Sequence, residues 1–277
     1  MKALSFVKWK FNRMLSVATV VMAVNYLVML SGSVIVGNLV GADGRGESVW
    51  LTFFAAHTAK IFADASERFG KRHEADELLF LAEKWGRAAD NAWDGEYYLR
   101  GTYDSGALLG SASSPECRID SIPQSIAVLS GFGSREKCEK ALNCALNTLC
   151  DTENGVIKLF DVPFDGAEKP GYISSYLPGV RENGGQYTHA AIWLSMALFE
   201  AGREEEGTRV LLSVLPSGRR KEYRLEPYVL AGDIYSNPQN YARGGWSWYT
   251  GSAGWFRTAV REKLLPALKK SGVINMP

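Results

Sequence analysis

The feature that most constrains the fold of this chain is an apolar period of three to four residues that recurs along most of it. Within 49–66 apolar side chains stand at Trp50, Phe53 and Ile61, and 75–89 repeats the spacing, which places such residues on one face of a helix. Strand-like alternation is limited to short runs. The sequence therefore predicts an all-α fold with long loops and little β structure. One further helix is predicted to begin at residue 121, and others are predicted at 134–149, 186–201, 204–215, 226–235 and 253–270. Pro266 should kink or end the helix at 253–270.

The first forty residues differ in character from all that follows. Four basic residues fall within positions 1–13, and no charged side chain stands from Met14 to Ala42. Such a run behind a basic flank is typical of a membrane anchor or uncleaved signal, with the N-terminus kept in the cytoplasm. A buried helix or out-of-frame sequence is the alternative interpretation. We therefore divide the chain into 1–40 and 41–277, and expect it in the cytoplasm or at the cytoplasmic membrane.

Charge and cysteine content exclude two classes of function. The 277 residues include 31 basic and 30 acidic side chains, a net charge of +1, so no nucleic-acid partner is expected. Four cysteines without a C-x-x-C pair and only three histidines predict no metal site. The cysteines are interpreted as reduced thiols.

Four loop segments carry more polar and aromatic residues than a helical scaffold needs. They are 41–51, 93–124, 176–189 and 243–255. The first fits a capped turn equally well, and Trp93 with the tyrosines after it also fits a β-hairpin with aromatic pairs. A lone histidine such as His189 is usually structural, but this one stands at a helix start near Arg181 and Glu182. That setting suits an anion.

The last of these segments has the composition of a phosphate cradle. Thr250-Gly251-Ser252 directly precedes a predicted helix, and small residues let backbone N–H groups approach an oxyanion. The segment is not a P-loop, because no G-x-x-x-x-G-K-S/T pattern is present.

Taken in this order, the segments Gly41–Trp50, Trp93–Gln124, Tyr176–His189 and Arg243–Trp255, with Glu226–Ser236, resemble the glycoside phosphorylases of glycoside hydrolase family 94. Within that family they are most similar to the phosphorylase-like region of bacterial cyclic β-1,2-glucan synthases. The resemblance runs from about Asn38 to about Arg261. It implies an (α/α)6 barrel, of which residues 41–277 would be the second half.

The resemblance also implies chemistry and roles for individual residues. Phosphate attacks a β-glucoside with inversion, so inorganic phosphate is a co-substrate, no cofactor is needed, and one general acid protonates the leaving oxygen. His189, Thr250 and Gly251 would bind phosphate. Arg181 (Lys in some relatives) and Glu182 would hold the sugar at the cleavage subsite, with Gln124 and Trp93 in the cleft wall. The substrate would be a β-glucan or β-gluco-oligosaccharide.

The chain departs from the family at the general acid. The family places this Asp in a Trp-Asn-Asp-Gly-Met-Asn motif, and by alignment Ile35 stands at its position, where no side-chain proton is available. The first half of the barrel is also missing, so we expect a fragment truncated at both ends and a partner that covers the exposed half barrel. Whether the chain is an enzyme stays open. The alternative is a non-catalytic carbohydrate-binding or assembly remnant, with or without a membrane anchor.

Overall fold

The computed structural model describes residues 46–166, 170–217, 221–248 and 250–273. Most of this part of the chain is helical, as predicted. The helices α1 to α8 are, in order, Val49–Arg68, Arg72–Asn91, Ser121–Ser130, Arg135–Leu149, Thr188–Glu200, Glu204–Ser213, Thr250–Ala259 and Leu265–Lys270, with a π-helical turn at Val260–Leu264 between the last two. Shorter 3₁₀ turns lie at Gly171–Ser175, Lys221–Tyr223 and Pro238–Asn240.

The helices pack in two layers. Helices α1, α3, α5 and α7 contact one another in sequence, while α2, α4 and α6 each pack on the helix that precedes them in the chain. Helix α5 is the most buried element, with Ile192, Leu194 and Leu198 fully enclosed. A helix that is apolar on all sides needs neighbours on all sides, and α5 packs against α3, α6 and α7. The described helices do not close into a barrel.

Eight two-residue strands, β1 to β8, tie the loops together. They are Gly101–Thr102, Leu108–Leu109, Ile119–Asp120, Cys150–Asp151, Val156–Ile157, Phe160–Asp161, Gln186–Tyr187 and Asp233–Ile234. All four pairings, β1–β2, β3–β6, β4–β5 and β7–β8, are antiparallel. The pairing of β7 with β8 matters most for function, because it joins two loop segments that are far apart in sequence.

The prediction of a helix at 226–235 is wrong. This segment is a loop that ends in β8. Apart from one turn, in which the Val229 amide donates to the Glu226 carbonyl at 3.2 Å, several of its backbone groups bond to partners outside the segment. The Tyr223 hydroxyl donates to the Val229 carbonyl at 2.8 Å and accepts from the Ala231 amide at 3.1 Å, while the Gly232 amide donates to the Trp246 carbonyl at 2.6 Å. Tertiary hydrogen bonds thus satisfy the backbone without a helical ladder.

The segment predicted as one helix at 253–270 consists of α7, the π-helical turn and α8. Pro266 lies in the first turn of α8, where its missing N–H is tolerated. The widened turn immediately before it, which ends at the buried Leu264, is the local irregularity that a proline requires. The helical conformation therefore continues past Pro266 as far as Lys270.

Helices α1 and α2 expose large apolar side chains, notably Phe54, Ile61 and Phe80, the last 70% exposed. A partner that covers this face stays a prediction. Over the ranges that the structure describes, no helix is both long and apolar enough to cross a membrane. The uncharged stretch at 15–36, on which the anchor hypothesis rests, lies outside those ranges.

Candidate functional site

The site is built on the loop that leads into α5, and Asn183 fixes that loop. Its amide oxygen accepts from the Phe164 amide at 2.8 Å, and its amide nitrogen donates to the carbonyls of Phe164 and Tyr176 at 2.9 and 2.8 Å. Asn183 is fully buried, so these bonds form without competition from water. They hold Arg181 and Glu182, which precede Asn183 directly, in one place.

Strand pairing then brings the 233–246 loop beside this one. Tyr187 in β7 is opposite Asp233 in β8, and Asp233 Oδ1 accepts a hydrogen bond from the Trp246 amide at 2.7 Å. The ring of Tyr187 stacks on that of His189 with 5.0 Å between centroids. The residues that the sequence placed in separate loops therefore meet at one end of α5.

His189 and Gly251, both predicted to bind phosphate, are direct neighbours. A Cβ atom built on Gly251 would lie 2.5 Å from His189 Nε2, so only glycine allows this approach. His189 is in the first turn of α5, and Thr250 and Gly251 are the first two residues of α7. The N-termini of two helices thus converge on the imidazole ring, and each contributes N–H groups that the helix itself leaves unpaired and the positive end of a helix dipole.

The electrostatic state of His189 follows from its burial. Burial lowers the pKa of His189 below its usual value, so the neutral ring is favoured. Its Nδ1 atom is buried and makes no hydrogen bond with the residues that the structure describes. A bound anion would reverse the first effect, because a negative charge close to the ring stabilises imidazolium.

Arg181 is clamped between two aromatic rings. Its guanidinium carbon lies 4.9 Å from the centroid of Tyr176 and 4.4 Å from that of Trp246, and such cation–π contacts fix the orientation of the side chain. The backbone of Arg181 is left-handed, with a φ of 53°. A non-glycine residue in this conformation is strained, and such strain concentrates at functional sites.

Two carboxyl groups accompany Arg181. Glu182 Oε2 is 3.6 Å from Arg181 Nε, and both side chains are largely shielded from solvent. Burial raises the pKa of Asp233, an effect that the Trp246 amide and the charge of Arg181 oppose and that of Glu182 reinforces. The three charged groups are therefore close enough to influence one another, and together with His189 they form one polar cluster.

Trp93 and Gln124, predicted for the cleft wall, cluster around Tyr98 instead. Trp93 packs edge-on against Tyr98, with 4.9 Å between the ring centroids. The Lys137 ammonium lies 5.8 Å from the centroid of the Trp93 ring. The Gln124 amide bonds to the Tyr98 amide and carbonyl and to the Asp120 carbonyl, each at 2.9 Å. In the part of the chain that the structure describes, neither side chain makes a hydrogen bond or ring contact with Arg181 or His189. Their sugar-binding role stays a prediction.

Sequence reasoning missed three members of the site: Tyr176, Asp233 and Trp246. The two aromatic residues stand in loop segments that were singled out, but only the fold shows that they enclose Arg181. Asp233 was hidden in a segment interpreted as a helix. Ile35, which the family resemblance predicts at the position of the general acid, lies outside the described residues.

The fold and the site together define a class: a two-layer helical scaffold whose loops gather two converging helix N-termini, a clamped arginine and buried carboxyl groups. The family model for the glycosyl hydrolase 94 superfamily, catalytic domain, matches residues 22–266. The chain therefore belongs to the glycosyl hydrolase 94 superfamily. The match begins inside residues 1–40, the segment that the sequence analysis set apart, and that boundary stays a prediction.

The chain is also similar in sequence to individual proteins of known activity. The chain is 42% identical over 245 residues to the cyclic beta-(1,2)-glucan synthase NdvB of Rhizobium meliloti (strain 1021), covering 84% of this chain and 8% of that protein. It is 32% identical over 235 residues to the solabiose phosphorylase of Paenibacillus borealis, covering 82% of this chain and 30% of that protein. The chain thus spans less than a third of the length of these relatives.

Solved structures support the fold alone. A crystal structure of an uncharacterized conserved protein from Thermus thermophilus matches with a TM-score of 0.53 at 12% identity, covering 77% of this chain and 48% of that one. A GH63 mannosylglycerate hydrolase from the same organism, in complex with Tris and D-glycerate, matches with a TM-score of 0.50 at 12% identity, covering 77% of this chain and 46% of that one.

Proposed function

We propose that this chain binds inorganic phosphate and a β-glucoside side by side, and acts in inverting phosphorolysis or β-glucan synthesis. The relatives carry names of both kinds: a cyclic β-1,2-glucan synthase, and phosphorylases of solabiose and of a glucosyl glucuronide. Phosphate is the co-substrate, and no cofactor is required. The substrate class is a β-gluco-oligosaccharide or β-glucan.

The observation that carries the proposal is the approach of Gly251 to His189 at the start of α7. Two converging helix N-termini, with their dipoles, and an imidazole whose buried Nδ1 has no hydrogen-bond partner among the described residues form a site for a tetrahedral oxyanion. Thr250 is the first residue of α7, and it therefore lies at the same helix N-terminus as Gly251. Arg181 and Glu182, held by Asn183, bind the sugar beside it.

The proposed chemistry needs one acid and no second carboxylate. A phosphate oxygen forms the new bond to the anomeric carbon while the glycosidic C–O bond breaks, and a general acid donates its proton to the leaving oxygen. The residue aligned with that acid is Ile35, which cannot donate a proton. Loss of a general acid slows catalysis by about 10²–10⁴-fold. We therefore expect intact ligand binding with a turnover lower than that of the phosphorylases by about this factor.

The finer fold belongs to the same proposal. We infer that α1, α3, α5 and α7 are inner helices of an (α/α)6 barrel and that α2, α4 and α6 belong to its outer layer. The order of helix contacts supports this placement. An experimental structure in which the four inner helices do not line a common concave surface would contradict it.

Two measurements test the function. Calorimetric titration with inorganic phosphate should show binding that His189→Ala removes. Release of phosphate from α-glucose 1-phosphate, with β-1,2- or β-1,4-gluco-oligosaccharides as acceptors, should be slow and should disappear in the same variant. Folded protein that binds neither phosphate nor sugar would overturn the proposal. Phosphate binding without any release would leave a binding protein and not an enzyme.

A further inference from the structure

Asp233 is a buried residue, and only one of its two carboxyl oxygens has a hydrogen-bond partner among the described residues. Its side chain is 4% exposed. Oδ1 accepts from the Trp246 amide at 2.7 Å, but Oδ2 is buried and has no hydrogen-bond partner among the described residues. An unpaired buried carboxyl oxygen costs folding free energy, and native structures rarely contain one without a function.

The surrounding backbone keeps this oxygen in place. Strand β8 fixes the main chain of Asp233 through its register with Tyr187, and the Asp233 carbonyl accepts from the Gly245 amide at 3.0 Å. A side chain on Gly245 would overlap Oδ2, so glycine at this position leaves the carboxyl group its room. The unpaired oxygen is therefore a built feature of the site and not a consequence of loose packing.

The neighbours of Asp233 indicate what its partner is. Arg181 and Glu182 lie close enough to shift its pKa in opposite directions. Glu182 Oε2, the oxygen 3.6 Å from Arg181 Nε, is a second buried carboxyl oxygen that makes no hydrogen bond in the described ranges. Two acceptor oxygens beside one clamped guanidinium require a ligand with several hydrogen-bond donors. A sugar with adjacent hydroxyl groups supplies them, whereas phosphate offers mainly acceptors and would repel both carboxylates.

We propose that Asp233 is a sugar-binding residue, whose Oδ2 accepts a hydrogen bond from a hydroxyl of the glucosyl unit next to the bound phosphate. The inference rests on the proposed function. The position follows from the strand pairing, since Tyr187 is opposite Asp233 and stacks on His189. Asp233 and Glu182 thus hold the sugar from one side, with Arg181 between its two aromatic rings beside them.

The test compares sugar and phosphate binding in Asp233→Asn. The amide keeps the acceptor for the Trp246 N–H but removes the charged acceptor at Oδ2. Affinity for D-glucose should fall about tenfold, as expected for a hydrogen bond to a charged group, and phosphate affinity should stay unchanged. Wild-type protein should discriminate against one of the monodeoxyglucoses, and the variant should lose that discrimination. Asp76→Asn, an exposed carboxyl on α2, is the matched control.

The outcomes separate this inference from the function on which it rests. Wild-type protein that binds phosphate but no glucose overturns the inference and the sugar half of the function together. Unchanged glucose affinity in Asp233→Asn overturns the inference alone, and so does an equal loss of glucose and phosphate affinity, which would mean a structural role. If the variant does not fold, the Asp233 carboxyl ¹³C resonance of the wild-type protein decides. It should shift when glucose is added, and an unmoved resonance contradicts the inference.

Discussion

The imidazole of His189 lies against the backbone of Gly251, so closely that a Cβ on residue 251 would be 2.5 Å from Nε2. His189 is the second residue of α5 and Gly251 is the second residue of α7. This contact brings two helix N-termini together at the corner where we propose that phosphate binds.

Gly251→Ala should weaken phosphate binding by at least tenfold. The added methyl group displaces the imidazole, and reorientation of one ligand costs about the value of its hydrogen bond, 1.5–3 kcal/mol for a charged group. Isothermal titration with inorganic phosphate measures the effect.

Gly254→Ala is the control for that change, because the residue lies in the same helix and an added Cβ meets nothing within 4 Å. It should stabilise α7 by about 0.8–1 kcal/mol and leave phosphate binding intact. Equal phosphate affinities in the two variants would show that the contact with His189 has no part in binding.

The pKa of His189 should rise when phosphate binds. In the free protein burial holds it below its usual value, so the folded state binds fewer protons than the unfolded chain. The stability that this group contributes is therefore fully present above the unfolded pKa and is lost as the pH falls from that value through the lower folded pKa. NMR titration of the ring Cε1–H signal, with and without phosphate, measures the shift. Phosphate that leaves the pKa of His189 unchanged would place the anion elsewhere.

The sequence predicts the scaffold well because helix periodicity is local. The apolar residues of α1 and α2 and the continuous apolar run of α5 mark their helices with little error in the bounds. The segment 226–235 has a similar apolar content, yet its backbone bonds to Tyr223 and Trp246. No local pattern reports such bonds, because they depend on a fold already formed.

Some residues of the candidate site could likewise be predicted from the sequence, and others could not. His189 and Gly251 were predicted together through the family motifs, and the structure places them in contact. The clamping of Arg181 by Tyr176 and Trp246 and the half-satisfied carboxyl of Asp233 arise from the β7–β8 pairing. A lone Asp in an apolar segment gives no signal of that pairing. Gln124 was predicted for the cleft wall through the family resemblance, and that role stays a prediction; the bonds of its amide to the Tyr98 and Asp120 carbonyls are a further feature that no local pattern indicates.

Removal of the Arg181 side chain should weaken sugar binding at least tenfold, and two variants separate that effect from backbone strain. Arg181→Ala and Arg181→Gly both lose the guanidinium that the rings hold. The glycine variant should be more stable than the alanine variant by about 1–2 kcal/mol, because the backbone is left-handed there. Urea denaturation compares the two, and equal stabilities would contradict the strained conformation.

Ile35→Asp should increase turnover if the aligned position is that of the general acid. A restored proton donor is expected to raise phosphate release from α-glucose 1-phosphate, in the presence of a gluco-oligosaccharide, by about 10²–10⁴-fold. Phosphate affinity should not change, because the residues proposed to bind phosphate, His189, Thr250 and Gly251, are kept. The neighbouring replacement Val34→Asp is the control for an added charge, and Ile35→Asn for size. A gain seen equally in all three would point to a general effect of polarity near residue 35, whereas a gain confined to Ile35→Asp identifies a carboxylic acid at this position as the missing component of the reaction.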